Sequence, residues 1–238
     1  MNPLEIRVFI SGFNDRRCEV LLRKEVPAKI QENPALLDGW AQKITMAIGY
    51  DMKHTQRWDC ETCGKPARET WFHPRPSLRP PEPLVVLHIH HLCEAGGGPC
   101  HMAVENRARE LAIAAGGMLP PPSLHLPKPS GPAIPLASGC AKCQRDETGA
   151  PGSTISRCSR CKLTRYCSVE CQTEDWPRHG KICKTVKEVK WINWEDNNAH
   201  AEPAIVPQRM PEITLSFLCK LLPTAAVLFA GILLFQKN

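Results

Sequence analysis

The residues of this chain that could do chemistry are concentrated in one cysteine-rich segment, residues 140–183. In order, it carries a C-x2-C pair, fourteen residues, a second C-x2-C pair, five residues, a C-x3-C pair, seven residues and an H-x3-C pair. The eight candidate ligands are Cys140, Cys143, Cys158, Cys161, Cys167, Cys171, His179 and Cys183. Zinc takes four sulfur or imidazole ligands in a tetrahedron, so this set divides into an all-cysteine site and a site of three cysteines and a histidine. The segment is therefore predicted to bind two zinc ions.

The spacing within the segment has a physical reason. A C-x2-C turn brings two thiolates to one ion, whereas residues four apart lie on one face of a helix. Residues 175–177 (Asp-Trp-Pro) are typical of a helix start, so His179 and Cys183 are predicted to lie one turn apart. The same arrangement is predicted for Cys167 and Cys171. The alternative is that these cysteines are unmetallated or joined as disulfides.

Residues 158–183 resemble the MYND-type zinc finger. Besides the candidate ligands, the matching positions are Tyr166, Gln172 and Trp176. The likeness extends over residues 140–183, which is less than a fifth of the chain. A zinc-stabilised, two-ion fold is what the resemblance implies for this segment.

The resemblance also implies that the two zinc sites are interleaved. Cys140, Cys143, Cys167 and Cys171 would bind one ion, and Cys158, Cys161, His179 and Cys183 would bind the other. Spacing alone leaves a sequential pairing open. One departure from the family pattern is Gly180, where a lysine commonly follows the histidine, and Lys181 comes one position later. The departure bears on the basic edge of the last helix rather than on zinc, since the gap to the last cysteine is kept.

A third zinc site is predicted in the first half of the chain. Residues 60–66 have the form of a zinc knuckle, in which Gly64 eases the tight turn after the second thiolate. The ligands would be Cys60 and Cys63 with Cys93 and Cys100, and His88, His90, His91 and His101 are reserve candidates. The alternative is a set of buried structural cysteines with solvated histidines, because a lone C-x2-C pair is common by chance.

The rest of the sequence predicts a small multi-domain protein of the α+β class. Residues 1–118 form a mixed α/β region with the knuckle, 119–139 a proline-rich linker, 140–183 the finger, 184–212 a polar connector and 213–235 a hydrophobic helix. Within the first region, residues 4–10 and 84–89 have strand patterns. Helical stripes are predicted at Leu36, Trp40, Ile44 and Ile48, and at Val104, Ala108, Leu111, Ala112 and Ala115.

The sequence contains two proline clusters that interrupt the predicted helices and strands. Five prolines lie between Pro74 and Pro83, and seven lie between Pro120 and Pro135. Because proline lacks a backbone donor, neither cluster is expected in a helix or a central strand. The second cluster has the composition of a semi-rigid polyproline linker. The first contains residues 76–80, a P-x-L-x-P string that resembles the peptides MYND fingers dock, so it is either an internal ligand of the finger or a solvated linker.

The carboxyl-terminal segment, residues 213–235, is largely apolar and is interrupted by Lys220 and Pro223. As a helix its 23 residues would reach about 34 Å, enough for a hydrocarbon core of about 30 Å. The charge-free part, residues 221–235, would reach only about 22 Å. Two interpretations stay open: a tail anchor in which Lys220 snorkels toward the headgroups, and a terminal helix packed on the first domain.

Cysteine usage predicts a reducing compartment. The count of 13 cysteines is odd, and charged residues interrupt any apolar run near the amino terminus, which disfavours a secreted disulfide-rich protein. The expected location is the cytoplasm or the nucleus, or the cytosolic face of a membrane if the tail inserts.

Catalysis has to be considered because MYND modules also occur in SET-type lysine methyltransferases. The sequence shows neither an Asn-His-Ser-Cys-like cofactor motif nor the accompanying glycine-rich segment, and its one glycine run, 96–98, is expected to form a turn. A zinc ion with four protein ligands also has no position for a reacting water. The chain is therefore predicted not to be an enzyme, with a SET-less relative of these methyltransferases as the alternative.

The formal net charge of +6 taken alone would indicate nucleic acid. Residues 140–190 carry eleven basic and six acidic side chains, but seven thiolates and two zinc ions reduce their net charge to about +2. A transcriptional regulator with nucleic-acid contact is thus only an alternative. The MYND resemblance implies docking of proline-containing peptide segments of other proteins, and a rigid surface with this role is the leading hypothesis, against a finger that only stabilises its own chain.

Overall fold

The computed structural model describes residues 1–94, 97–116, 124–126 and 134–194, which all lie within one compact unit. The elements are β1 (Leu4–Ser11), β2 (Arg17–Lys24), α1 (Ala28–Glu32), α2 (Leu37–Lys53), β3 (Glu69–Ser77), β4 (Leu84–Leu92), α3 (Pro99–Ala114), β5 (Leu124–His125), β6 (Ser156–Arg157), β7 (Arg165–Tyr166), α4 (Val169–Cys183) and β8 (Val186–Ile192). Short 3-10 turns lie at Phe13–Asp15, Pro34–Leu36 and Asp146–Gly149. The mixed α/β character expected from the sequence is confirmed.

Six strands form one sheet in the order β5-β3-β4-β1-β2-β8. Strands β1 and β4 are parallel, and the other neighbours are antiparallel. The chain leaves the sheet at one edge, β5, forms the cysteine-rich segment, and returns to the opposite edge as β8. That segment is therefore inserted between the two edge strands of the sheet.

Each face of the sheet carries a hydrophobic core, and the second core covers only the part of its face formed by β3 and β4. On one face, the alternating apolar residues of β1 form the main core together with α2 and the cysteine-rich segment. On the other face, Cys100 and Val104 of α3 pack against Trp71 and Leu92. Cys60 and Cys100 belong to this second, smaller core and Cys93 packs against it, whereas Cys18 lies in the main core.

Helix α2 buries a face that is rotated from the predicted one. The predicted stripe includes Leu36, which is 39 % exposed, and Trp40 and Ile44, which are only half-buried. The buried residues of the helix are Leu37, Ala41, Thr45, Ile48, Gly49, Asp51, Met52 and Lys53. Ala41 and Gly49 on this face are small and let the helix approach the sheet closely. The close packing stabilises the fold more than burial of the larger side chains on the neighbouring face would.

Strand β3 corrects the interpretation of the first proline cluster. Pro74 and Pro76 lie within this strand, opposite Leu87 and Val85 of β4. Strand β5 pairs with β3 only at Trp71 and Phe72. Beyond Phe72 no described strand pairs with the outer edge of β3, so no hydrogen bond on that edge requires the N–H that proline lacks. A strand that is internal at one end and an edge at the other can therefore accept prolines. Residues 76–80 begin within this strand, and their start is hydrogen-bonded to β4 as part of the main sheet.

Other predicted segments fall partly or wholly outside the described residues. Most of the predicted linker 119–139 and all of the predicted helix 213–235 lie outside them. Within the predicted connector 184–212, residues 186–192 form strand β8. Its lysines and glutamate are compatible with an edge strand that is half exposed. No helix of the described part combines the length and the apolar character needed to cross a membrane.

Two glycines of α2 provide a matched test of its packing. A Cβ at Gly49 would lie 2.4 Å from Cζ of the fully buried Phe72, whereas a Cβ at the exposed Gly39 would meet nothing within 4 Å. We expect Gly49→Ala to lower the free energy of unfolding by about 1–3 kcal/mol through overpacking. Gly39→Ala should raise it by up to about 1 kcal/mol through helix propensity. Urea denaturation of both variants measures this, and equal effects would contradict the close approach of α2 to β3.

Candidate metal centres

Three groups of four side chains bring their ligand atoms within 4.8 Å of one another. They are Cys140, Cys143, Cys167 and Cys171; Cys158, Cys161, His179 and Cys183; and Cys60, Cys63, Cys93 and Cys100. We call them clusters 1, 2 and 3. Clusters 1 and 2 have the interleaved membership that the resemblance implies, and cluster 3 joins the knuckle to the two cysteines proposed as its partners.

The distances within the clusters fit zinc better than disulfides. Sulfur atoms bound tetrahedrally at about 2.3 Å from zinc lie roughly 3.8 Å apart, whereas a disulfide bond is about 2.05 Å long. The Sγ–Sγ distance is 3.8 Å for Cys143–Cys167 and 3.9 Å for Cys158–Cys183. All the described cysteines are free thiols. The donor sets and their spacing are therefore suited to Zn²⁺.

Helix α4 begins earlier than the sequence predicts. It starts at Val169, after the N-cap Ser168, whose side chain accepts a hydrogen bond from the Cys171 N–H, and Pro177 lies inside it. The prediction of a start at 175–177 is wrong, because the Ser168 side chain caps the amino terminus of the helix before the Asp-Trp-Pro sequence is reached. One consequence is that Cys167 precedes the helix instead of lying on it. His179 and Cys183 still lie one turn apart, as predicted.

The histidine of cluster 2 is oriented by a carboxylate from the amino-terminal half of the chain. His179 Nδ1 donates a hydrogen bond of 2.8 Å to Oδ1 of Asp51, near the end of α2. Its Nε2 lies 3.7 Å from the Sγ of Cys161. Both His179 and Asp51 have only 1 % of their side chains exposed. A carboxylate that holds the second nitrogen of a zinc-ligating histidine fixes its tautomer and makes it a better ligand.

Asp51 is also held by other side chains of the segment. Arg178 donates to both of its carboxylate oxygens at 3.0 and 3.1 Å, and the hydroxyl of Thr164 donates to it at 3.1 Å. Burial would raise the pKa of Asp51, but the hydrogen bond from His179 and the charge of Arg178 outweigh burial and lower that pKa. The buried carboxylate therefore stays ionised and fully partnered.

Two backbone contacts extend this junction. The hydroxyl of Tyr50 donates to the carbonyl of Ala141 at 2.8 Å, and His54 Nδ1 donates to the carbonyl of Gly139 at 3.0 Å. Burial lowers the pKa of His54 to about 3, so this imidazole is neutral and has one N–H to donate. The end of α2 therefore binds the start of the cysteine-rich segment through these two hydrogen bonds.

The thiols of clusters 1 and 2 include members that are prepared for metal binding. Burial would raise the pKa of Cys158, but the N–H of Cys161 and the hydrogen bond to His179 lower it to about 7. Burial is likewise outweighed at Cys143, where hydrogen bonds from Arg145 lower the pKa to about 7. Burial raises the pKa of their partners Cys167 and Cys183 to about 12. In each of the two clusters at least one thiol is thus held toward the thiolate form that binds zinc.

Comparison with known proteins supports the identity of this segment. Residues 140–183 match the family model described as the MYND finger. This segment is a MYND finger. Such a finger binds zinc, which confirms the predicted cofactor, and the three clusters offer sites for zinc ions.

The relatives share little more than the finger. Dauer abnormal formation protein 25 of Caenorhabditis elegans is 41 % identical over 64 residues, which are 27 % of this chain and 16 % of that protein. N-lysine methyltransferase SMYD2 of Mus musculus is 39 % identical over 64 residues, 24 % of this chain and 14 % of that protein. Tudor domain-containing protein 1 of Danio rerio is 64 % identical over 28 residues, 12 % of this chain and 2 % of that protein. The chain thus spans less than a fifth of each of these relatives. No solved structure matches it significantly.

Cluster 3 lies outside the finger. Gly64 has the positive φ of 74° that the turn of the knuckle requires, and its N–H donates to the carbonyl of Cys60. Cys93 follows β4, Cys100 lies in the first turn of α3, and their Sγ atoms are 3.8 Å apart. The Sγ of Cys63 lies 3.5 Å from that of Cys93. Three separate elements therefore supply this cluster.

The four reserve histidines do not join cluster 3. His90 Nδ1 lies 2.6 Å from a Glu61 oxygen, and His91 Nδ1 lies 3.1 Å from the hydroxyl of Thr70. The remaining rings are stacked, His88 on Phe9 and His101 on Trp71. Four thiolates complete the cluster without them.

Sequence reasoning missed Asp51. It lies 128 residues from His179, so no local spacing could reveal the contact. One signal was present: a carboxylate near the end of a helix opposes the helix dipole, which favours cations there. A carboxylate at this position is therefore expected to have a hydrogen-bond donor or a cation as its partner elsewhere in the fold.

We expect Asp51→Asn to weaken zinc binding in cluster 2. Loss of the negative charge makes His179 a poorer ligand and leaves Asp175 as the one carboxylate partner of Arg178 among the described residues. Contacts to the second nitrogen of a metal-ligating histidine are worth about 10–100-fold in metal affinity. Titration of the full chain with a zinc chelator should release one ion at a lower chelator concentration. Asp38→Asn, at an exposed position of the same helix, is the control. Identical release curves for wild type and Asp51→Asn would contradict the role of this carboxylate.

Proposed function

We propose that this protein is a non-catalytic interaction protein whose MYND finger docks short proline-containing peptides of other proteins. The observation that carries this proposal is a groove beside α4, with a volume of about 440 Å³, next to an exposed tryptophan. The groove is lined by Lys24, Trp176, Pro177, Gly180, Lys181, Lys184 and Thr185. It combines an apolar, aromatic surface with a basic rim.

Trp176 provides the apolar part of this groove. It is 38 % exposed, which is unusual for a large aromatic side chain, and its ring lies against Gly180. A Cβ at Gly180 would stand 3.1 Å from Cε2 of Trp176, so the departure from the family pattern at this position gives the ring room to lie along the helix. Extended proline-containing peptides favour such aromatic surfaces, because they are preordered and lose little entropy on docking.

The basic rim indicates the charge of the partner. Lys181 and Lys184 are exposed on the finger, and Lys24 reaches the groove from the end of β2. Three lysines at one rim favour acidic residues beside the proline motif. Because Lys24 belongs to the sheet, the amino-terminal region contributes to the docking surface as well as supporting the finger.

Two observations support a non-catalytic role. The likeness to methyltransferases such as SMYD2 is confined to a segment that includes the finger and covers 24 % of this chain. Each cysteine cluster offers four protein ligands, which leaves a bound zinc ion no position for a reacting water. The zinc ions of these clusters are accordingly structural.

The proposed ligands are the twelve residues of the three clusters, and zinc counting tests cluster 3 separately from the finger. We expect the double variant Cys63→Ala, Cys93→Ala to bind one zinc ion fewer per chain than wild type, as measured by native mass spectrometry. Cys18→Ala, a buried free thiol outside the clusters, should leave the count unchanged. An unchanged count in the double variant would remove cluster 3 as a zinc site and leave the finger unaffected.

Trp176→Ala should weaken peptide binding at least tenfold, since it removes the aromatic surface of the groove. Isothermal titration with one synthetic P-x-L-x-P peptide, carrying either glutamates or lysines on its flanks, provides the measurement. The glutamate version should bind wild type more tightly, and added salt should reduce this difference.

The matched control is Val169→Ala, which truncates a side chain that is 73 % exposed on the same helix. It should bind both peptides like wild type, and all proteins should hold the same number of zinc ions. Wild-type affinity in Trp176→Ala, or no binding of either peptide to the zinc-loaded wild type, would overturn the proposal.

A further inference from the structure

A fourth group of metal-ligating side chains lies between α3 and the sheet, outside the three cysteine clusters. Nε2 of His73, on β3, lies 3.8 Å from Oε1 of Glu105, on α3. Nε2 of His101, one turn before Glu105, lies 3.5 Å from the same oxygen. The exposed fractions of the two histidine side chains are only 7 % and 14 %. Two buried imidazoles thus converge on one carboxylate oxygen.

These imidazoles lack hydrogen bonds. Within the described part of the chain, both ring nitrogens of His73 and both of His101 are buried without a hydrogen-bond partner. Their separations from Glu105 exceed the 2.7–3.2 Å or so of a protein hydrogen bond. Buried polar atoms are almost always paired, so four unpaired nitrogens, two of them within 3.8 Å of one carboxylate oxygen, require an explanation.

The fold prepares the group without any ligand. The antiparallel register of β3 and β4 places His73 and His90 on one face of the sheet, and the i, i+4 spacing places His101 and Glu105 on one face of α3. The ring of His101 stacks on Trp71 at a centroid distance of 3.7 Å. The rings of His73 and His90 pack edge to face at 5.2 Å. Packing therefore places both imidazole rings beside Glu105.

We propose that His73, His101 and Glu105 bind a divalent transition-metal ion of the zinc class. Imidazole nitrogen and carboxylate oxygen bind zinc at about 2.0–2.2 Å, which places two tetrahedral ligands roughly 3.4 Å apart. The separations of 3.5 and 3.8 Å from the Glu105 oxygen are close to this value. The two histidine nitrogens lie more than 4.8 Å apart, because the three ligand atoms do not all fall within that distance of one another, so one imidazole moves toward the other by roughly 1.4 Å when the ion binds. The set is more open than the cysteine clusters, whose ligand atoms all lie within 4.8 Å. An ion here provides the partner that one nitrogen of each histidine lacks.

The position of the site explains what the ion does. His101 directly follows Cys100 of cluster 3, so the first turn of α3 carries a ligand for each of two neighbouring sites. His73 belongs to β3, which supplies no ligand to cluster 3. The ion therefore joins α3 to a second strand of the sheet. Three protein ligands leave one tetrahedral position for water.

Metal counting on the full, zinc-saturated and reduced chain tests the proposal. We expect His73→Gln and, independently, Glu105→Gln each to bind one zinc ion fewer than wild type in native mass spectrometry. The control is His88→Gln, a histidine of the same sheet face that stacks on Phe9 and should keep the wild-type count. Circular dichroism verifies that each variant is folded.

Cobalt provides a second readout that thiolate sites cannot imitate. Co²⁺ added to zinc-loaded wild type after selective removal of the most weakly held ion should give d–d absorption bands without the charge-transfer band of a cobalt–thiolate bond. His73→Gln should lack this signal. A zinc count that is the same in wild type, His73→Gln and Glu105→Gln would overturn the proposal, and so would an equal loss in His88→Gln. Because the comparison is a difference of one ion, it stands whether or not cluster 3 binds zinc.

Discussion

One buried carboxylate, Asp51, connects the MYND finger to the rest of the protein. Transfer of a charge into the interior costs several kcal/mol unless it is paired and hydrogen-bonded. Here His179, Arg178 and Thr164 all donate to it, and each belongs to the finger. The negative charge on α2 thus has its partners only when the finger is folded and seated. Conversely, the zinc-ligating histidine has its orienting partner only when α2 is in place.

This mutual dependence agrees with the topology. The finger lies between β5 and β8, the two edge strands of one sheet, and its cysteines Cys140, Cys158 and Cys183 belong to the same hydrophobic core as β1 and α2. With few aromatic residues in the chain, metal ions supply constraints that large side chains supply elsewhere. The amino-terminal region is therefore a scaffold for the finger, and it also carries the four cysteines of cluster 3.

The sequence predicted the local parts of the structure well. C-x2-C turns and i, i+4 pairs are set by neighbouring residues, so the members of clusters 1 and 2 could be named together with the zinc they bind, and their pairing followed from the family resemblance. The presence of strand β1 and of helices α2 and α3 followed from periodicity, but the predicted stripe of α3 is wrong in part, because Leu111 and Ala115 are exposed. What failed depends on distant contacts: the buried face of α2 follows from how closely it can approach Phe72, and prolines enter β3 because its partner β5 is short. Asp51 and the convergence of His73 with Glu105 are tertiary facts that no window of sequence contains.

The end of the finger also determines whether the sheet is complete. Cys183, the last ligand of cluster 2, lies three residues before the first residue of β8, and the carbonyl of Thr185 already accepts the N–H of Arg23 on β2. Without zinc, α4 loses the ligands that fix its carboxyl-terminal turn, and β8 loses its starting point. Strand β2 would then become an exposed edge, which is a template for unwanted pairing with other chains. Folding of the zinc-bound finger is therefore coupled to completion of a sheet edge contributed by the amino-terminal half of the protein.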